Sequence, residues 1–172
     1  HFVSDGWCHV PRLGVDEETL RSARAEAADL DANMRPGRGT NGYDMAQYVL
    51  RSDRVLWLHD IVIADRPALR SLVAAIEDFV GRLAQQLGQS QLQLRLTGRE
   101  APMLATYDPG AFFRRHVDAT EASTGNRILT AVYYPNPAWD AEKGGELRLN
   151  PGSKCPIDVL PEEDSLVIFR AD

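Results

Sequence analysis

From Leu92 the chain reads Leu-Gln-Leu-Arg-Leu96 and then, from Met103, Met-Leu-Ala-Thr-Tyr-Asp-Pro-Gly110, and this stretch decides the fold. Upstream of it the apolar residues recur with a helical period; here Leu92, Leu94 and Leu96 alternate with Gln93 and Arg95, as in a half-buried strand. Further strand candidates follow at Met103–Tyr107, Phe112–Val117, Ile128–Tyr134, Glu146–Leu149, Ile157–Leu160 and Ser165–Phe169. Turn signals separate them: Asp108-Pro-Gly110, Pro135-Asn-Pro137, Gly144-Gly145 and Pro151-Gly152. Many short strands at this spacing predict a sandwich or jelly roll.

Working back from that point, the first half reads mainly as helix. Asp16 is placed to cap a helix whose apolar positions are Leu20, Ala23, Ala27 and Leu30. It gives way to the polar, glycine-rich run Arg35-Pro-Gly-Arg-Gly-Thr-Asn-Gly42. A second helix has Asp65 as its expected N-cap and Pro67 in its first turn, where a missing N–H costs nothing. Leu69, Leu72, Val73, Ile76, Phe79, Val80, Leu83 and Leu87 form its apolar face, and Gly88 supplies the stop. The expected class is α+β, with the helices packed on one sheet. Residues 1–90 would support the strand-rich part, residues 91–172, within one structural domain.

The bulk properties exclude several classes. The 172 residues are 44% apolar and 26% charged, with a net charge of -6, so no basic face for nucleic acid is expected. No apolar run approaches the roughly 20 residues of a membrane span. Cys8 and Cys155 are the only cysteines, too few and too far apart for a disulfide scaffold or a cysteine zinc site. An intracellular location, cytoplasmic or nuclear, and a monomer are the expectations. The chain starts without Met and stops directly after an apolar strand run, which reads as a fragment of a longer protein.

Chemistry centres on His116-Val-Asp118. In a strand, residues i and i+2 project from the same face, so the imidazole and carboxylate can both point into a barrel mouth. With a second His they would form the facial triad of non-haem Fe(II) oxygenases, which leaves positions open for a co-substrate and O2. By itself the pattern equally fits a surface ion pair with Arg114 or Arg115.

The surrounding residues extend the pattern. Met103 to Gly110, Arg115-His-Val-Asp118, Arg127-Ile-Leu-Thr-Ala-Val-Tyr-Tyr134 and Asn136-Pro-Ala-Trp-Asp-Ala-Glu-Lys-Gly-Gly-Glu-Leu-Arg148 together resemble one family. This is the catalytic domain of 2-oxoglutarate- and Fe(II)-dependent prolyl 4-hydroxylases, most similar to the hypoxia-inducible-factor (oxygen-sensor) branch. The resemblance covers residues 90–172 well, and Arg51-Ser-Asp53 with Trp57 matches an Arg-x-Asp…Trp element in a substrate loop of that branch.

The resemblance implies a double-stranded β-helix (jelly roll). It implies an Fe(II) enzyme that couples decarboxylation of 2-oxoglutarate, with O2, to 4-hydroxylation of a prolyl residue in a protein or peptide substrate. Ascorbate assists relatives. His116 and Asp118 would be iron ligands. Tyr107, Val132, Tyr134 and Leu147 would bind 2-oxoglutarate, with Tyr134 donating toward its distal carboxylate. Arg51, Asp53, Phe113 and Arg127 would meet the substrate. In the family a second His follows the strand matching Ser165–Phe169, and an Arg further on pairs with 2-oxoglutarate. This sequence stops at Asp172, before both, so the last strands are expected to be missing and the 172 residues alone to bind iron and co-substrate weakly. A catalytically inactive peptide-binding jelly roll, or an oxygenase with another substrate, are the alternative expectations.

Overall fold

A computed structural model of the chain describes residues 2–37, 50–88, 96–119, 127–151 and 155–171. Helix α1 (Phe2–Asp5) leads into strand β1 (Trp7–Val10), and α2 (Glu17–Asp29) follows. The Asp16 carboxylate accepts from the Thr19 amide at 2.8 Å, as its position predicted. Strands β2 (Arg35–Pro36) and β3 (Arg54–Trp57) precede the single-turn α3 (Asp60–Ile63) and the long α4 (Pro67–Gly88). Asp65 was expected to cap α4, but the amides a cap would take go elsewhere. Ala68 and Leu69 donate to the Glu26 carboxylate of α2 at 3.1 and 2.8 Å. The two helices are thus joined by an acidic side chain at the positive end of a helix dipole.

The strand half follows the predicted order: β4 (Met103–Thr106), β5 (Leu129–Tyr134), β6 (Leu147–Leu149), β7 (Ile157–Val159) and β8 (Ser165–Arg170). Every pairing is antiparallel. β8 is the centre of one sheet, ordered β1-β8-β5; a second sheet is ordered β2-β3-β4, and β6 and β7 form a hairpin. With helices laid on antiparallel sheets, the class is α+β. The expected strand at Leu92–Leu96 falls largely outside the described residues.

Strand alternation divides the core. Leu166 and Ile168 of β8 pack with Phe2 and Leu87, against the Ile76, Phe79, Val80 and Leu83 face of α4. Val167 points to the opposite side, with Leu149, Val159, Tyr134 and Leu147. Leu166, Val167 and Ile168 are all fully buried, each worth about 1.5–3 kcal/mol in apolar burial. A further cluster joins Leu20, Ala23 and Leu30 to Leu58, Leu69 and Leu72, and it touches Leu56 and Leu104 of the second sheet as well as Tyr133 of the first. The helical layer therefore underlies both sheets, a correction to the expectation of one.

Two further corrections concern strands. β1 and β3 lie in the half read as helical. Each is four residues long, too short for a period to show, and each exists because a partner strand pairs with it: Trp7 opposite Phe169, Leu56 opposite Leu104. Conversely, Phe112–Val117 is not a strand. Only an isolated bridge, Arg51 to Phe113, forms there. The Arg114 amide donates to Leu50 O at 2.8 Å, whereas the Ala119 amide donates to Ala171 O at 2.8 Å. The segment changes partner midway, so no ladder can run through it.

Candidate active site

That change of partner leaves His116 on irregular backbone, yet it meets Asp118 directly. His116 Nε2 lies 3.1 Å from Asp118 Oδ1, and Nδ1 lies 2.7 Å from Arg114 O. The second Asp118 oxygen accepts from the Thr130 hydroxyl of β5 at 2.5 Å. Both ring nitrogens thus face acceptors. The hydrogen bond to Asp118, helped by the Arg114 carbonyl and resisted by burial, holds the imidazole above its ordinary pKa. Burial pushes the Asp118 carboxyl up, but hydrogen bonds from His116 and Thr130 and the charges of His116 and Arg127 outweigh it and leave the group below its ordinary value.

β5 carries the site onward. Alternation puts Thr130, Val132 and Tyr134 on one face of the strand. Tyr134 packs with Leu147 and Val167 in the cluster on that side of the sheet. Burial raises the Tyr134 phenol, and the neighbouring Tyr107 adds to the effect. Tyr107 in turn is pushed up to about 12, first by burial and then by the negative charge of Asp53. By the same alternation in β3 and β4, Val55 and Trp57 share a face with Met103, Ala105 and, one residue past β4, Tyr107. Trp57 and Met103 are a cross-strand pair and both are exposed.

The segment at 50–53 closes the other side. Arg51 Nε and its terminal nitrogen donate to the two Asp53 oxygens at 2.6 and 2.5 Å. The side chains are 9% and 0% exposed. The Gly37 amide donates to Asp53 O at 2.8 Å, and a Cβ on Gly37 would stand 2.5 Å from Arg51 Nε, so only glycine fits over this pair. The Arg51 guanidinium carbon sits 4.1 Å from the Phe113 ring centroid. Phe113 stacks on His116 at 3.7 Å with 14° between the planes. Arg127 is ion-paired with Glu100.

Of the residues singled out in the sequence, the structure therefore brings together His116, Asp118, Phe113, Arg51, Asp53 and Tyr107, with Tyr134 beside Tyr107. Val132 is on the Thr130 face, and Leu147 is reached through Tyr134. Thr130 was missed, although it shares the strand face of Val132 and Tyr134 and period two alone would have found it. The motif from Tyr133 to Asp140 mostly holds the loop after β5. Tyr133 donates to Asp164 Oδ1 at 2.9 Å, Asn136 to Pro161 O at 2.9 Å and Trp139 to Gly144 O at 2.7 Å, while Asp140 accepts from the Glu142 amide at 3.0 Å.

A facing imidazole and carboxylate lie beside an apolar and phenolic strand face, and the model of the 2OG-Fe(II) oxygenase superfamily matches residues 102–172 of this chain. Among characterised relatives, it is 33% identical over 128 residues to the hypoxia-inducible factor prolyl hydroxylase of Caenorhabditis elegans, an alignment covering 72% of this chain and 17% of that protein. The chain therefore spans a small part of the length of this relative. A Pseudomonas putida prolyl-4-hydroxylase superposes with a TM-score of 0.73 at 26% identity, covering 99% of this chain and 83% of the other. A Trichoplax adhaerens prolyl hydroxylase, solved with a hypoxia-inducible-factor peptide fragment, shares the fold with a TM-score of 0.80 at 21% identity, covering 99% and 75%.

The superfamily's cofactors are Fe(II), 2-oxoglutarate and O2. His116 and Asp118 fit one such ion. Two adjacent donors on an octahedral ion, with bonds of about 2.1 Å, are about 3.0 Å apart, close to the 3.1 Å observed. The Nδ1 contact with Arg114 O suits a ligating His, whose other ring nitrogen is normally held by an acceptor. Among the described residues, no cluster of three His, Cys, Asp or Glu surrounds a common point. No helix among them is long and apolar enough to cross a membrane.

Proposed function

We propose that this chain is the greater part of the catalytic domain of a protein prolyl 4-hydroxylase with a jelly-roll core, continuous with its helical support as one domain. The observation that carries the reading is the 3.1 Å approach of His116 Nε2 and Asp118 Oδ1 within the family-matched segment. Bound iron, with 2-oxoglutarate and O2, supplies the oxidising chemistry, which yields succinate, CO2 and a hydroxylated proline.

This chain's residues do the holding and shielding. His116 and Asp118 would hold the metal as a neutral imidazole and an ionised carboxylate. Thr130 fixes the Asp118 carboxylate. Tyr134, a neutral phenol at physiological pH, is suited to donate to a 2-oxoglutarate carboxylate, with Val132 and Leu147 as its apolar wall and Tyr107 beside it. Arg51, Phe113 and Arg127 lie around His116 and Asp118, where a proline-containing segment would be presented. Asp53 takes part by holding Arg51. The C. elegans relative and the peptide-bound T. adhaerens enzyme favour a protein substrate and an oxygen-sensing role. A monomer in cytoplasm or nucleus completes the proposal.

The test is 2-oxoglutarate turnover by the full-length protein with Fe(II) and a proline-containing peptide, read as succinate and as gain of one oxygen by mass spectrometry. Turnover is expected to rise with the peptide and to vanish in His116→Ala. Equal turnover in that variant would refute the reading.

A further inference from the structure

The segment at 50–53 and the segment bearing His116 are stitched together three times. Ser52 N donates to Phe112 O at 2.9 Å, Arg114 N to Leu50 O at 2.8 Å, and Phe112 N to Ser52 Oγ at 3.0 Å. Their side chains continue the connection as a row: the Asp53 carboxylate, the Arg51 guanidinium, the Phe113 ring and the His116 imidazole. Arg51 is held by two charge-assisted hydrogen bonds that it donates to a fully buried partner, so it is the fixed end of the row. His116 is the free end. Its two ring contacts, to Arg114 O and Asp118 Oδ1, both lie within two residues in sequence and hold the two ring nitrogens, which leaves rotation about the line between them. Neither prevents the imidazole from tilting out of its plane. A face-stacked ring at 3.7 Å does, because tilting drives the two planes into each other.

We infer that Phe113 is a positioning residue for His116: its ring, braced from behind by Arg51, fixes the imidazole plane and so orients Nε2 toward the metal. The inference rests on His116 being a metal ligand. It assigns to the Arg51–Asp53 pair a role in setting the metal site, separate from contact with a substrate. A flat face is the property required, so Leu of similar volume cannot replace Phe113, whereas Tyr can. The brace needs a planar cation, so Lys is a poor replacement for Arg51.

The experiment measures Mn(II) binding to the full-length protein by loss of the free-ion electron paramagnetic resonance signal, together with the NMR shifts of the His116 ring protons in the metal-free protein. Partners that orient metal ligands typically contribute 10–100-fold to affinity. Phe113→Leu is expected to weaken Mn(II) binding at least about 10-fold and to move the His116 ring protons downfield as ring shielding is lost. Phe113→Tyr keeps both wild-type values. Arg51→Lys weakens binding in the wild-type background and adds nothing to Phe113→Leu, because it acts through that ring. Unchanged His116 shifts in Phe113→Leu, or unchanged Mn(II) affinity in that variant while His116→Ala abolishes binding, would overturn the inference. If His116→Ala leaves Mn(II) binding intact, the ligand assignment fails instead, and the NMR shifts still decide whether Phe113 orders the ring.

Discussion

Removing Asp53 isolates one buried interaction cleanly. The Arg51 head is nine-tenths buried, and two hydrogen bonds to Asp53 satisfy it on one side. In Asp53→Ala the cation remains, with the Phe113 face, the Tyr107 hydroxyl and, further off, the Asp118 charge around it. Breaking a buried pair from one side costs about 3–5 kcal/mol, against a domain stability of about 5–15 kcal/mol. At roughly 2–4 °C per kcal/mol for a chain of this length, the midpoint should fall by about 6–20 °C. Asp53→Asn keeps one acceptor and should lose less, about 1.5–3 kcal/mol. The double variant Arg51→Met/Asp53→Leu removes both charges and should recover most of the loss, since well-packed apolar pairs often match buried ion pairs. Urea unfolding of the wild type and these three variants, with thermal melts alongside, reads each loss directly. A loss below about 1 kcal/mol in Asp53→Ala, the range of solvent-exposed pairs, would refute the reasoning by showing that water reaches Arg51 in the folded protein.

Two other perturbations are as specific. In metal-free protein, Asp118→Asn should bring the His116 pKa down, because the Asp118 hydrogen bond is the main force raising it, and NMR titration of the imidazole protons would read this. The sign for stability follows: folding favours the imidazolium, so its contribution is complete below about pH 6.5 and fades as pH rises through the higher folded-state value. That fade should shrink in Asp118→Asn, and an unchanged His116 titration would count against the 3.1 Å contact in solution. Glu26→Ala strips the acceptor from the Ala68 and Leu69 amides at the start of α4 and should cost about 1–2 kcal/mol in chemical unfolding. A change of a few tenths would mean that water serves those amides equally well.

What could be read from the sequence divides along physical lines. α2, α4 and β4 to β8 were legible because each is long enough, or sharply enough bounded by turn residues, for its period to show. Asp16 announced a cap through purely local chemistry. β1 and β3 were not legible, since four residues such as Trp-Cys-His-Val become a strand only when Ser165–Arg170 lies beside them. The cap of α4 was misread for a similar reason: Asp65 is adjacent in sequence, but Glu26 arrives through helix packing. At the site, His116 and Asp118 were legible as a pair, though for a geometric reason that does not hold, because their meeting owes nothing to a strand. The stacking of Arg51 on Phe113 joins positions about sixty residues apart, and nothing in either local sequence signals it.

The pairing of β1 with β8 has a consequence for how the protein comes into being. Trp7 faces Phe169 across a ladder, so the intervening 161 residues must be made before this strand finds its partner. At about 5–20 residues per second, the ribosome takes roughly 10–30 s to pass from β1 to β8. Through that interval Leu166 and Ile168 do not exist to cover the Ile76–Leu83 face of α4. Contacts so distant also slow folding after release, because their loop must close before they repay it. Over that interval the nascent chain carries an uncovered apolar helix face and an unpaired β1, both open to aggregation until β8 emerges.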